Sequence, residues 1–168
     1  GRIDQNVLRL FHNKPSLRFE MATQINHAVE FFPEVVDVFK RIQDLGVKVY
    51  SQNVLLKGVN DSREALIELY DTIRRHDLEA HYLFHAIPLR GTHHLRTSLA
   101  RGVKLATQLT SSGFISGRSK PMFAVMTDIG KVVLYHGTIL GREGKRVLLQ
   151  TGYRPEERLV WNPTWQMP

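Results

Sequence analysis

The sequence predicts an α/β fold in which βα units build a parallel sheet and an antiparallel β segment follows. Three observations predict it. Apolar, strand-like runs alternate three times with helix-period segments between residues 19 and 109, the pattern of parallel strands joined by crossover helices. Beyond about residue 110 the helical period vanishes, and short strand-like runs are split by Asp-Ile-Gly and Gly-Arg-Glu-Gly-Lys, the punctuation of hairpins. The 168 residues are 42% hydrophobic and 23% charged, a balance that gives one domain a core and argues against disorder.

Each element has a local reason. Phe19-Glu-Met-Ala-Thr-Gln-Ile-Asn26 reads as the first strand, followed by His27. From Pro33, residues Val35, Val36, Val38, Phe39, Ile42 and Leu45 recur near a 3.6-residue period; Pro33 suits a first helical turn and Gly46 a stop. Val47 to Leu56 is a β-branched and apolar run, the second strand. Asp61 or Ser62 then caps a helix through about Arg75, with Ala65, Leu66, Leu69 and Ile73 as its apolar stripe. Ala80 to Ile87 is the third strand, and a helix from Ser98 to about Leu109 completes the third unit. Ser111 to Arg118 is loop; Met122–Met126, Lys131–Tyr135 and Arg146–Gln150 are short strands. The expected division is therefore 1–110 for the βα part and 111–168 for the β segment.

Composition excludes several classes. With no cysteine, the chain forms no disulfide, offers no thiol nucleophile and cannot alone ligate an iron–sulfur cluster. No apolar run reaches the ~18 residues of a membrane span. The absence of a signal-peptide core makes the cytoplasm the expected compartment, and a start on Gly1 suggests a processed or partial chain. The net charge of +7 invites an anionic partner. However, Lys and Arg are scattered from Arg2 to Arg158 with no run longer than two, which argues against a nucleic-acid surface and leaves room for a phosphate-bearing small molecule.

Ligands in α/β sheets gather at the carboxyl ends of strands. The residues there are Gln24 to His27, Gln52-Asn53, and Tyr82, Phe84 and His85 running toward Arg90–Thr97. His85, His93 and His94 lack the spacing of a carboxylate-supported zinc site. Lys131 follows Thr127-Asp-Ile-Gly. On residues alone it is either a solvent-facing hairpin lysine or, held against apolar walls, an amine able to condense with a carbonyl. Asp128 is its nearest orienting carboxylate in sequence.

Tyr50-Ser-Gln-Asn-Val-Leu-Leu-Lys-Gly-Val-Asn-Asp61, Tyr82-Leu-Phe84 and Gly91-Thr-His-His-Leu-Arg-Thr97 together resemble the lysine 2,3-aminomutase family of radical S-adenosylmethionine (SAM) enzymes. Gln24-Ile-Asn-His27 is similar to that family's His-Phe-Asn-His, and the resemblance covers about residues 19–135. It implies a partial (βα)6 radical SAM barrel, this chain supplying the last strands and the C-terminal β segment. It also implies three cofactors: a [4Fe–4S] cluster whose ligands lie outside this chain, SAM, and pyridoxal phosphate (PLP) on a lysine. Phe123-Ala-Val-Met-Thr-Asp-Ile-Gly-Lys131 is similar to the stretch bearing that lysine, which makes Lys131 the Schiff-base candidate. By the same resemblance Gln52 contacts SAM, Phe84 lies beside PLP, and His94 and Arg96 belong to a loop near the cofactors. The implied chemistry is a 1,2-amino shift in an amino acid, a small-molecule substrate, begun by a 5′-deoxyadenosyl radical, with the cofactors carrying the reaction.

The departures from the family have consequences too. The Cys-x3-Cys-x2-Cys motif is absent, so the expected partner is a cysteine-bearing N-terminal half of the barrel, and the isolated chain is expected to be inactive. The two aspartates that hold the substrate's terminal amine in the family fall on Ile87 and Met126. An ammonium buried there would be unpaired, which argues against L-lysine as substrate and leaves Asp128 as the candidate substrate contact. Phe84 stands where the family has tyrosine. Two alternatives stay open at this level: a diverged radical SAM relative that binds no PLP, and a basic nucleic-acid-binding module. A half-barrel also exposes strand edges, which predicts self-association.

Overall fold

The computed structural model describes residues 3–11, 16–128, 130–134, 139–150 and 158–162. Its strands are β1 (Glu20–Thr23), β2 (Lys48–Leu55), β3 (Glu79–His85), β4 (Met122–Thr127), β5 (Gly130–Val133), β6 (Ile139–Glu143), β7 (Arg146–Gln150) and β8 (Arg158–Trp161). Its helices are α1 (Gln5–Arg9), α2 (Pro33–Gln43), α3 (Arg63–Arg75) and α4 (Leu99–Thr110). The strands form a five-stranded sheet in the order β1-β2-β3-β4-β5 and a three-stranded sheet in the order β6-β7-β8. The pairs β1–β2, β2–β3 and β3–β4 are parallel, whereas β4–β5 and both pairs of the second sheet are antiparallel.

Local chemistry explains the helices. Pro33 occupies the first turn of α2, and Gly46 (φ +77°) takes the left-handed conformation beyond its end. The Ser62 hydroxyl accepts from the Ala65 amide to start α3, whose last turn carries Arg74 and Arg75. The Ser98 hydroxyl does the same for Arg101 at the start of α4.

The helices bury one face of the large sheet. Val49 and Leu55 of β2, Leu83 of β3, and Phe123 and Val125 of β4 join Phe39, Ile42, Leu66, Leu69, Ile73, Leu105 and Leu109 from the helices in one core. In β2 the alternation is strict: Val49, Ser51, Asn53 and Leu55 are buried, and Tyr50, Gln52 and Val54 are half-buried on the opposite face. Among the described residues, no helix packs on that second face.

One sequence expectation needs correction. The run Met122–Met126 reads as part of an antiparallel hairpin, and β4 does pair that way with β5. It also continues the parallel sheet, with Tyr82 opposite Met122 and Phe84 opposite Ala124. The parallel sheet therefore extends past residue 110. Its second strand-to-strand neighbour is fixed by long-range packing of Phe123 and Val125, which a local turn signal does not report. The short elements α1, β6 and β8 also had no legible signal. Tyr135 and the tail beyond Asn162 lie outside the described residues.

Candidate functional site on the open face of the sheet

The open face has two different ends. At the amino ends of the strands, charge is paired: the Tyr50 hydroxyl donates to Glu20 at 2.9 Å, and Lys48 lies 3.4 Å from Glu79. The carboxyl ends instead border a cavity of about 370 Å3, lined by Gln24, Val54, Leu56, Phe84 and Met126 from the strand ends. Ala86, Ile87, Leu89, Thr92 and Leu95 complete it from the segment after β3.

Lys131 sits between these ends. It is the direct partner of Met126 in the β4–β5 hairpin, and side chains opposite one another in an antiparallel pair share a face. Its Nζ lies 3.8 Å from the centroid of the Tyr82 ring, a close cation–π contact. Tyr82 in turn touches Phe84, with ring centroids 5.1 Å apart, and Phe84 lines the cavity. A register shift between Ser51 and Gln52 leaves His81 without a place in the ladder between Ala80 and Tyr82. Such a bulge re-aims side chains, and the His81 and Tyr82 rings sit 3.9 Å apart. Burial, and then the neighbouring Lys131 charge, hold the His81 imidazole below its ordinary pKa. The amine thus stands over an aromatic ring beside an imidazole disposed to be neutral.

The other site candidates divide. Gln52 lies opposite Tyr82 in register on the open face, so Gln52, Phe84 and Lys131 are brought to one surface. His94 is exposed in a short 3-10 turn (His93–Leu95). Half-buried Arg96 donates from Nε to the Ala86 carbonyl at 2.9 Å, tying down the segment that walls the cavity. It borders a separate hollow with His85 and Arg142. Asp128 is exposed at the β4–β5 turn and faces a hollow shared with Arg146 and Trp161, away from the apolar cavity. His85, on the helix side, is buried, bonds the Thr97 carbonyl at 3.0 Å, and has its pKa lowered by burial to about 4. It is a neutral anchor of the same segment.

Much of the Gln52–Asp61 motif maintains backbone. Buried Asn60 accepts from the Leu56 amide at 2.7 Å and donates to the Asn26 and Val54 carbonyls at 2.7 and 2.9 Å. Asn53 donates to the Ile25 carbonyl and to Ser51, and receives the Tyr70 hydroxyl. Asn26 accepts from the Val54 amide, and Asp61 accepts from Gly58. Glu30 accepts from the amides of Asn26 and His27. These bonds hold the ends of β1 and β2 in register beneath the cavity. The residues missed from sequence are Tyr82, as the ring under the lysine, and His81. Their signal is the bulge, which appears only when β2 and β3 are paired.

No protein-family model matches the chain. Proteins whose names carry the words L-lysine 2,3-aminomutase do match it. One from Aquifex aeolicus is 33% identical over 149 residues, covering 84% of this chain and 39% of its own. One from Clostridium subterminale is 30% identical over 147 residues, covering 86% of this chain and 34% of its own. A glutamate 2,3-aminomutase from Clostridioides difficile is 26% identical over 148 residues, covering 87% and 33%. Among solved structures, a radical SAM methyltransferase from Sphaerobacter thermophilus superposes with a TM-score of 0.50 at 17% identity, covering 71% of this chain and 37% of that one, a likeness of fold. The chain thus spans between a third and two fifths of the length of these relatives. With the motif and these matches in agreement, the chain is a homologue of the proteins named lysine 2,3-aminomutase, and its fold is like that of a radical SAM enzyme.

Proposed function

We propose that this chain is the amine-anchoring wall of a radical SAM aminomutase-like enzyme, with Lys131 as the residue that holds pyridoxal phosphate. The observation that carries the reading is the placement of Lys131 Nζ 3.8 Å from the Tyr82 centroid, on the face that borders the cavity. A planar aromatic ring beside an amine is a fitting platform for a pyridine ring. Bound there, pyridoxal phosphate would supply the carbonyl that captures an amino group and lets nitrogen move between adjacent carbons. The chain's own residues would do the rest. Tyr82 and Phe84 support a flat ligand, His81 stays neutral beside the amine, and the apolar wall excludes water. Gln52, on the same face, is the proposed SAM contact, and His94 and Arg96, on the segment after β3 that walls the cavity, are proposed to lie near the cofactors; Asp128 faces a separate hollow and is not proposed as a substrate contact.

The iron–sulfur cluster does not fit this chain. The sequence has no cysteine, and no group of three or more His, Cys, Asp or Glu able to hold a metal occurs among the described residues. A cysteine-bearing barrel half is the proposed partner. The sheet supports that arrangement. Strands β1 to β4 follow one another in space in chain order, with the helices packed on one face. A doubly wound sheet reverses its order and covers both faces, whereas consecutive order with one-sided helices is the wall of a barrel. In this reading residues 1–110 are barrel and 111–168 the appended β segment, although β4 extends the wall.

The wall carries Ile87 and Met126 and no carboxylate, so L-lysine, whose ammonium would be stranded, is not the proposed substrate. Titration with pyridoxal phosphate tests the assignment. The protein is expected to develop a visible absorption band on condensation with the amine, and Lys131→Ala to lack it. A band that persists in folded Lys131→Ala, or no band in the folded parent, would remove the proposal.

A further inference from the structure

The cavity's chemistry goes further than excluding lysine. Of its ten lining residues eight are apolar and none is charged. The two polar ones are Thr92, whose hydroxyl already donates to the Leu89 carbonyl at 2.9 Å, and Gln24, which is exposed at the rim. Val54, Phe84, Ile87 and Met126 are among the apolar residues that line it. A cavity of about 370 Å3 falls at the small end of the range of ligand pockets, roughly 300–1,000 Å3. A charged group set against these residues would exchange water for apolar contacts and find no charged partner among the described residues lining the cavity, an unfavourable exchange for an ammonium and a carboxylate alike. A hydrocarbon group gains from the same surroundings.

We propose that this cavity is a side-chain subsite for an amino acid with an uncharged aliphatic or aromatic side chain, in the size range of leucine to phenylalanine. The assignment rests on the reading of Lys131 as the cofactor anchor, which places the reacting end of the amino acid beside Tyr82 and its side chain toward Met126. It separates this chain from relatives named for lysine and for glutamate, whose namesake amino acids both end in a charge.

Met126 supplies the test, because it lines the cavity and carries a methyl group. The protein, labelled with 13C-methyl methionine and with the Met126 signal identified by Met126→Leu, is titrated with norleucine, lysine and glutamate. Norleucine is lysine without its ammonium group. A saturable shift of the Met126 methyl by norleucine is expected, at a concentration at least about tenfold below that needed for lysine or glutamate. Ile87→Asp, which places a carboxylate on the wall, is expected to reverse the order between norleucine and lysine. Should that variant not fold, Leu89→Asp, at a residue already 44% exposed, makes the same comparison. Equal or tighter binding of lysine or glutamate to the parent protein would overturn the proposal, as would a Met126 methyl that no amino acid moves. The cofactor assignment is read separately, from the absorption band at Lys131. A norleucine-selective shift without that band keeps the subsite and removes the cofactor; the band without selectivity removes the subsite alone.

Discussion

Asn60 accounts for why the Gln52–Asp61 motif is so specific. Its side chain is fully buried and serves one amide and two carbonyls, at the end of β2 and at Asn26 after β1. Truncation leaves those groups buried without partners, each costing about 1–3 kcal/mol. Asn60→Ala is therefore expected to lower stability by roughly 3 kcal/mol in total, read as an early urea unfolding midpoint; an unchanged midpoint would show the bonds to be dispensable. His85 gives a pH prediction. Its folded-state pKa is lowered from 6.5 to about 4, so the unfolded chain takes up the proton first as pH falls. The stability that neutral His85 contributes is present above about pH 6.5 and is lost as pH drops toward 4. The linked loss is about 3 kcal/mol. A His85→Gln variant should show a flatter stability profile across that window, and an equally steep one would assign the acid sensitivity elsewhere. The motif was legible as a string, while the division of its residues between scaffold and site was not. Asn53 and Asn60 face inward and Gln52 outward because of strand alternation and long-range packing.

At the scale of elements, Gly102 lets α4 pack tightly against the sheet. A Cβ there would lie 2.7 Å from the Phe123 ring and 3.3 Å from Leu55, inside contact distance. Gly102→Val should cost about 2–3 kcal/mol through overpacking, measured by chemical denaturation, while Gly113→Val, with open space around it, serves as the control. The three βα units were legible because each has its own signal: a helical period, a proline or serine at the helix start, and β-branched strands. The parallel pairing of β4 and the β3 bulge have no local signal. Both depend on which strand lies alongside, and the bulge is what places His81 and Tyr82 together near Lys131. The site's key contact is therefore a product of sheet register.

For the whole molecule, one face of the sheet is sealed by helices and the other holds the cavity, the lysine and Gln52. Among the described residues β1 has a strand neighbour on one side only. A parallel edge with unsatisfied backbone groups is a template for another strand, so the chain is expected to self-associate in sedimentation as concentration rises; a monodisperse monomer throughout would contradict an open wall. The likeness to lysine 2,3-aminomutases was readable from the sequence, since its motif spans β2 and the turn into α3. The side-chain chemistry the wall selects was only half readable, because the residues lining the cavity come from four strand ends and the segment after β3. Lys131 remains the residue on which the functional account turns. The most direct measurement is reduction with borohydride after incubation with pyridoxal phosphate, followed by peptide mapping. The account predicts a pyridoxyl adduct on Lys131; labelling confined to other lysines, or no labelling of the folded protein, would contradict it.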